Sequence, residues 1–307
     1  MGIPPEESQE DLCEGEIMTS VPGPVRPRKL LGAEIRRLRE DAGLTLEGLA
    51  EVLMISKSKL SRLETAQGNP TPRDVKDLIR YFELEGSVKA EQFMRWTRAA
   101  SKKEWWHSYL PTIKGGLDLH VAMEAEAAVI RVYTIPVLPV LLQVPAYTRA
   151  LYERMEPWHS QEALEKLLEV RAKRRHALEY RDGMDKLKLV AVTHESSIRQ
   201  MVGSAAIMRD QLNHLIERSS LSNVELRVLP FTTTPPYAST CMWAYFEFGD
   251  SEGDVVQVET HAGFGSIETV EQVANYRAHH EELMRSSLDA DETRRLIESI
   301  RDTAFVG

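Results

Sequence analysis

The clearest chemistry in the chain lies in seven consecutive residues, Ser56-Lys57-Ser58-Lys59-Leu60-Ser61-Arg62. Short hydroxyl side chains and long cations suit hydrogen bonding to base edges and phosphates of DNA. Lys and Arg grip phosphate or read guanine, and Ser reaches either. Other constellations are weaker. The sequence contains no HExxH, CxxC, GxSxG or P-loop. His194-Glu195 lacks the spacing and partners of a metal site and reads as a cap or core pair. His279-His280 reads as a helix surface, and Gly263-Phe264-Gly265 as a loop. Arg171, Lys173, Arg174, Arg175 and His176 form a basic stripe. It reads as a solvated helix face, with an acidic partner segment as the other option. Trp105-Trp106-His107 reads as an aromatic anchor for the preceding helices, against ligand stacking. No reaction is expected, and no metal or cofactor is called for.

The polar run must be held by helices. Leu31, Ile35, Leu38 and Ala42 recur at helical spacing, and Gly43 is placed to end that helix. Thr45 can cap a second helix with Leu46, Leu49, Ala50 and Leu53 on its apolar face. Ser56 can cap a third, which buries Leu60 and Leu63 and is stopped by Gly68-Asn69-Pro70. Thr71-Pro72 opens a fourth, with Asp74 at the favourable end of its dipole and Val75, Leu78, Ile79 and Phe82 inward. Four short helices with tight turns predict a compact bundle of helix-turn-helix type. The N-terminal turn of its third helix would enter the major groove. A bundle with a merely solvated face is the alternative.

The chain has 307 residues, 42% hydrophobic and 28% charged, with a net charge of -9. That length suggests about two domains, and the charge excludes a uniformly basic nucleic-acid coat. The charge is uneven. Residues 1–25 carry -6 with no Lys or Arg, residues 26–84 carry +3, and the remainder carries -6. Two cysteines, Cys13 and Cys241, give no disulfide framework and fit a reducing cytoplasm. No apolar run approaches the ~18 to 20 residues of a membrane span, so no membrane role is expected. The acidic, Pro-rich start is not patterned as a secretory signal.

Beyond the bundle, residues 160–180 and 204–220 read as amphipathic helices. Residues 187–193, 224–229, 242–248 and 254–260 read as strands, the last two able to pair as a hairpin. Residues 269–287 and 290–302 close the chain as helices.

The segment LGAEIRRLREDAGLTLEGLAEVLMISKSKLSRLE resembles the phage-repressor-like (XRE) helix-turn-helix family. By that resemblance Arg39 pairs with Glu64, and Lys57, Ser58, Ser61 and Arg62 occupy base-reading positions. The chain departs from the family at Leu46, where Gln is common, and at Met54, where Gly is common. A positive φ at Met54 would cost about 1 kcal/mol or more. The stretches EWWHSYLPTI, YTIPVLPVLLQVPAYTRALY, THESSIRQMVGSAAIMRDQLNHLIERSSLSNVELRVLPF and VEQVANYRAHHEELMRSSLDADETRRLIESI resemble actinobacterial WhiJ-type regulators, with Val140 where a glycine is usual. That resemblance implies transcriptional regulation with a small neighbour-encoded partner protein, some such pairs looking like toxin–antitoxin systems.

The expected architecture is α+β: an N-terminal all-α helix-turn-helix head joined to a larger C-terminal domain with a mixed sheet covered by helices. The expected boundaries are a disordered tail at 1–28, the DNA-binding head at 29–84, a helical linker at 85–118 and a sensing and dimerisation domain at 119–307. The expected function is sequence-specific binding of a double-stranded DNA operator by Thr45, Ser56, Lys57, Ser58, Lys59, Ser61 and Arg62, as a cytoplasmic homodimer. The C-terminal domain would receive the partner protein or an effector. An antitoxin that represses its own operon is the rival within regulation, and an enzyme fused to a DNA reader the rival outside it.

Overall fold

The computed structural model describes residues 25–101, 105–109, 117–155, 160–181, 184–234, 240–249, 253–260 and 263–305. They form two compact units, a head up to residue 104 and a body from residue 105. The expected acidic tail lies outside the described residues up to residue 24.

Among the described residues five helices build the head: α1 (Val25–Asp41), α2 (Leu46–Val52), α3 (Lys57–Glu64), α4 (Pro72–Tyr81) and α5 (Val88–Ala100). The first begins before the expected boundary at residue 28. Pro27 is tolerated in its first turn, where backbone N–H groups have no intrahelical acceptor. The expected linker at 85–118 is also corrected. Ser87 caps α5 by accepting the Ala90 N–H, and Ala90, Phe93 and Trp96 enter the same core as Leu31, Ile35, Leu49, Leu60 and Leu78. An apolar stripe at positions i, i+3 and i+6 has to be covered, and α1 and α4 cover it.

The body is an α+β unit on one six-stranded mixed sheet. Its strands are β1 (Val129–Thr134), β2 (Lys188–His194), β3 (Val224–Leu229), β4 (Trp243–Glu247), β5 (Val255–Thr260) and β6 (Gly263–Ile267), in the order β3-β2-β1-β4-β5-β6. The first three are parallel, and β4 to β6 run as an antiparallel meander against β1. The helices are α6 (Leu117–Glu126), α7 (Pro145–Met155), α8 (Gln161–His176), α9 (Glu195–Arg199), α10 (Ala205–Arg218), α11 (Val270–Ser286) and α12 (Ala290–Thr303). The pleat sorts side chains between two cores. Ile130, Leu189, Leu226, Ala244 and Phe246 pack with residues of α6, α10 and α12, whereas Tyr133, Val192, Trp243, Tyr245 and Val256 pack with Val273 and Leu283 of α11.

The four expected strands are present, and β4 and β5 pair antiparallel as expected. Three expectations are corrected. Gly263-Phe264-Gly265 is not a loop but the start of β6, paired with β5 from Thr260↔Gly263 onward. The basic stripe is solvated only in part: Lys173 and His176 are exposed, but its three arginines turn inward. Arg174 is 4% exposed and bidentate on Glu124, with N···O distances of 2.9 and 2.8 Å. Arg171 donates to Gln143 Oε1 and Tyr152 Oη, and Arg175 to the Gln143 carbonyl. These arginines continue the inward face of Leu164, Leu167 and Val170. Lastly, His280 is not on a surface. It is 1% exposed, with its ring 5.8 Å from that of Trp243.

Burial pushes the His280 imidazole down to about 4, and Arg131 and Arg227 add to the effect. Burial also takes His120 to about 4, helped by Arg174. His194 and His214 shift in the same direction. Both strongly shifted rings are held neutral in the fold, but the unfolded chain takes up protons near pH 6.5. Stability from them is therefore complete above about pH 6.5 and is lost as the pH falls toward 4. Unfolding free energies from urea titrations should drop between pH 7 and pH 5, by about 1 to 2 kcal/mol for each of the two rings. His280→Phe should lessen that drop, and an unchanged pH dependence in this variant would refute the assignment.

Candidate nucleic-acid interface

Two hydroxyl caps set the helix-turn-helix. Gly48 N–H donates to Thr45 Oγ1 at 3.0 Å to open α2, and Lys59 N–H donates to Ser56 Oγ at 3.1 Å to open α3. Between them the chain turns through Met54, at φ 54°. The left-handed residue lets Ile55 N–H reach back to the Ala50 carbonyl at 3.0 Å, which closes α2. Met54 is 92% exposed, so its side chain adds no packing to offset the backbone strain expected there. The third helix ends at Glu64, earlier than Gly68-Asn69-Pro70 suggested. Ala66 takes the left-handed position at φ 60°, and Gly68 instead lets the chain pass close to the Arg62 backbone.

At about 100° per residue, Lys57, Ser58, Ser61 and Arg62 share one side of α3. Leu60 and Leu63 are buried on the other. Ser56, Ser58, Lys59 and Arg62 border one polar cleft with Gly68 and Asn69. Thr45 is exposed but does not border it.

The cations differ in how they are held. Lys57 Nζ meets Glu47 Oε1 at 2.5 Å, with both side chains more than half exposed. Such a pair is worth under about 1 kcal/mol and yields readily to phosphate. Among the described residues Arg62 reaches only the Gln67 carbonyl, at 3.4 Å. Lys59 is engaged more firmly. Its Nζ lies 2.8 Å from Asp74, which is 7% exposed and also accepts from Thr71 Oγ1 at 2.7 Å. Burial works against that carboxylate, yet the bonds from Lys59 and Thr71 keep it below the usual carboxylate range. Part of the charge of Lys59 is thus spent inside the head. Sequence reading placed Asp74 at a helix dipole and missed this bond, because only tertiary packing brings α3 and α4 together.

The orientation of α3 is set by α1. Arg39 Nε and Nη2 donate to the two Glu64 carboxylate oxygens at 2.7 and 2.9 Å, with side chains 12% and 5% exposed. Arg39 Nη1 also holds the Leu44 carbonyl at 3.1 Å. About two turns earlier on α1, Gly32 has no room for a side chain: an added Cβ would stand 2.4 Å from the Leu63 carbonyl oxygen and 2.8 Å from that of Glu64. Sequence reading also missed Gly32. A glycine inside a strong helical pattern was the available signal.

Elsewhere, His194-Glu195 is structural. His194 Nδ1 accepts the Ser196 N–H at the start of α9, and Glu195 binds Arg199 and the Phe231 N–H. Among the described residues no group of three or more His, Cys, Asp or Glu is placed to hold a metal ion. No helix among them is long and apolar enough to cross a membrane.

Two family models match the chain. One, described as a domain of unknown function (DUF5753), matches residues 117–299. The other, described as a helix-turn-helix domain, matches residues 30–92 and supports a DNA-binding regulator. No curated protein and no solved structure matches the chain significantly.

Gly32→Ala should destabilise the chain by about 1 to 3 kcal/mol, because the methyl collides with backbone that cannot swing aside. Gly48→Ala is the control. Its methyl meets only Thr45 Oγ1, at 3.4 Å, so helix propensity should make it neutral or stabilising. Equal melting temperatures for the two variants would remove the close contact from the account.

Proposed function

The chain belongs to the DUF5753 family, and from that premise and the geometry of its head we propose that it is a sequence-specific transcriptional regulator. The polar face of α3, exposed and backed by Leu60 and Leu63, carries this proposal. An α-helix with short polar residues and cations on its outer face fits the major groove and reads base edges there. Arg62 and Lys57 are the base readers, because their present bonds are weak enough to exchange for DNA. Ser58 and Ser61 supply hydroxyls beside them. Thr45 and Ser56 place the first turns of α2 and α3 toward phosphates. Lys59 contributes a general electrostatic contact as far as its bond to Asp74 allows.

The XRE likeness of the head supports a two-fold dimer on DNA. A single head with +3 over residues 26–84 would bind weakly. Two heads on half-sites about 34 Å apart, or a multiple of that, would gain avidity. The body would then dimerise and receive an effector or a small neighbour-encoded protein that changes operator affinity. It is assigned no catalytic step, and the chain acts in the cytoplasm, on the nucleoid when bound.

Selection of binding sites from random DNA should return a defined operator. On that operator, Arg62→Ala and Lys57→Ala should each cost about 1 to 3 kcal/mol of binding free energy and relax the preference at one position. Identical sequence preferences for the wild type and Arg62→Ala would remove Arg62 from the readers. Failure to select any operator would refute the proposal.

A further inference from the structure

On the α6 side of the sheet the body holds a pocket of about 90 Å³ that is partly open to solvent. Its floor is a run of register neighbours across three strands, Val132 opposite Ala244 and Ala244 opposite Gln257. His120 and Glu124 on α6, Arg174 on α8 and Phe264 on β6 form much of its wall.

Charges around this cavity cancel. Arg174 is spent on Glu124, with side chains 3% and 4% exposed. Arg171, behind it, and Glu259, at the rim, supply one further charge of each sign, and the Glu259 carboxylate acts on both arginines. An ionic ligand buried here would find no spare counter-charge, and an unpaired buried charge is costly.

His120 supplies a directional feature. Gln257 Nε2 donates to Ser266 Oγ at 3.3 Å, which leaves Gln257 Oε1 to accept from His120 Nδ1 at 2.8 Å. With the proton on Nδ1, a neutral imidazole keeps a lone pair on Nε2. That atom stands 3.9 Å from Glu124 Oε2, too far for a hydrogen bond. The ring lies 4.9 Å from that of Phe264, tilted by 39°. Among the described residues that acceptor has no hydrogen-bond partner, and it borders a space also lined by Val132, Leu138, Ala244 and Phe264.

We propose that this cavity is a binding site for a small, uncharged, planar molecule that donates one N–H or O–H to His120 Nε2 and lays its apolar face against Phe264. The site deepens the role given above to the body, because its wall is joined to the start of that unit. Lys173, next to Arg174, lies over the rings of Trp105 and Tyr109, 5.6 and 5.5 Å from their centroids. A ligand seated against Arg174 and Glu124 thus touches the helix that holds the turn where the body begins.

The probe is indole, a neutral planar ring with one donor, titrated calorimetrically into the full chain without DNA. Indole should bind, and 1-methylindole, which lacks the donor, should bind about tenfold or more weakly. His120→Phe keeps a ring but removes the acceptor, so it should lose the preference for indole. Comparing the two probes on the wild-type protein stands even if the variant misfolds. No binding of indole at millimolar concentration, equal affinity for the two probes, or an unchanged preference in folded His120→Phe would overturn the proposal. Each readout is independent of operator binding, so failure here leaves the DNA-reading proposal standing, and the reverse holds.

Discussion

The bidentate pair between Arg39 and Glu64 is the interaction on which the head depends. It joins the end of α1 to the end of α3 in a partly dry position, with Arg39 also tied to the turn before α2. A pair of this kind adds little over an apolar substitute, but loss of one partner strands a buried charge at a cost of about 3 to 5 kcal/mol. Its value is therefore geometric. Together with the missing side chain at Gly32, it fixes how close α1 and α3 lie, and hence which side of α3 faces out. The polar run means something only once that side is fixed. The same residues on a freely rotating helix would be an ordinary hydrophilic surface.

Local chemistry was the legible part of this structure. Thr45, Ser56 and Thr71 act as the caps their positions implied, because capping involves only a residue and the N–H groups just after it. Met54 takes the positive φ that the XRE likeness placed there. The strands at β2 to β5 were visible as short apolar or alternating runs. Signals that tertiary packing decides were misread. The α5 stripe of Ala90, Phe93 and Trp96 looked like a linker helix until α1 and α4 covered it. Arg171, Arg174 and Arg175 on α8 looked solvated, since nothing nearby in sequence shows that Glu124 and Gln143 wait for them. β1 went unread although Val129, Ile130, Val132 and Tyr133 favour a strand. Arg131 in its middle hid the pattern, and Glu247 on the neighbouring strand explains why a cation is tolerated there.

The net charge of -9 also acquires a meaning. In the body several arginines are consumed internally, by Glu124, Glu247, Glu179 and backbone carbonyls. What remains for a nucleic acid is a mildly basic head with a few movable cations on one helix. Such a head suits specific contacts over bulk attraction to DNA, because each phosphate contact adds affinity for any sequence.

The Arg39–Glu64 pair holds α3 in the attitude proposed to read DNA. A double-mutant cycle on Arg39→Ala and Glu64→Ala, measured as operator affinity of the full chain with unfolding free energy in parallel, tests it most directly. Each single change should weaken both quantities, and the double variant should lose little more than either single. Losses that add within about 0.5 kcal/mol, or operator affinity unchanged in both singles, would contradict it.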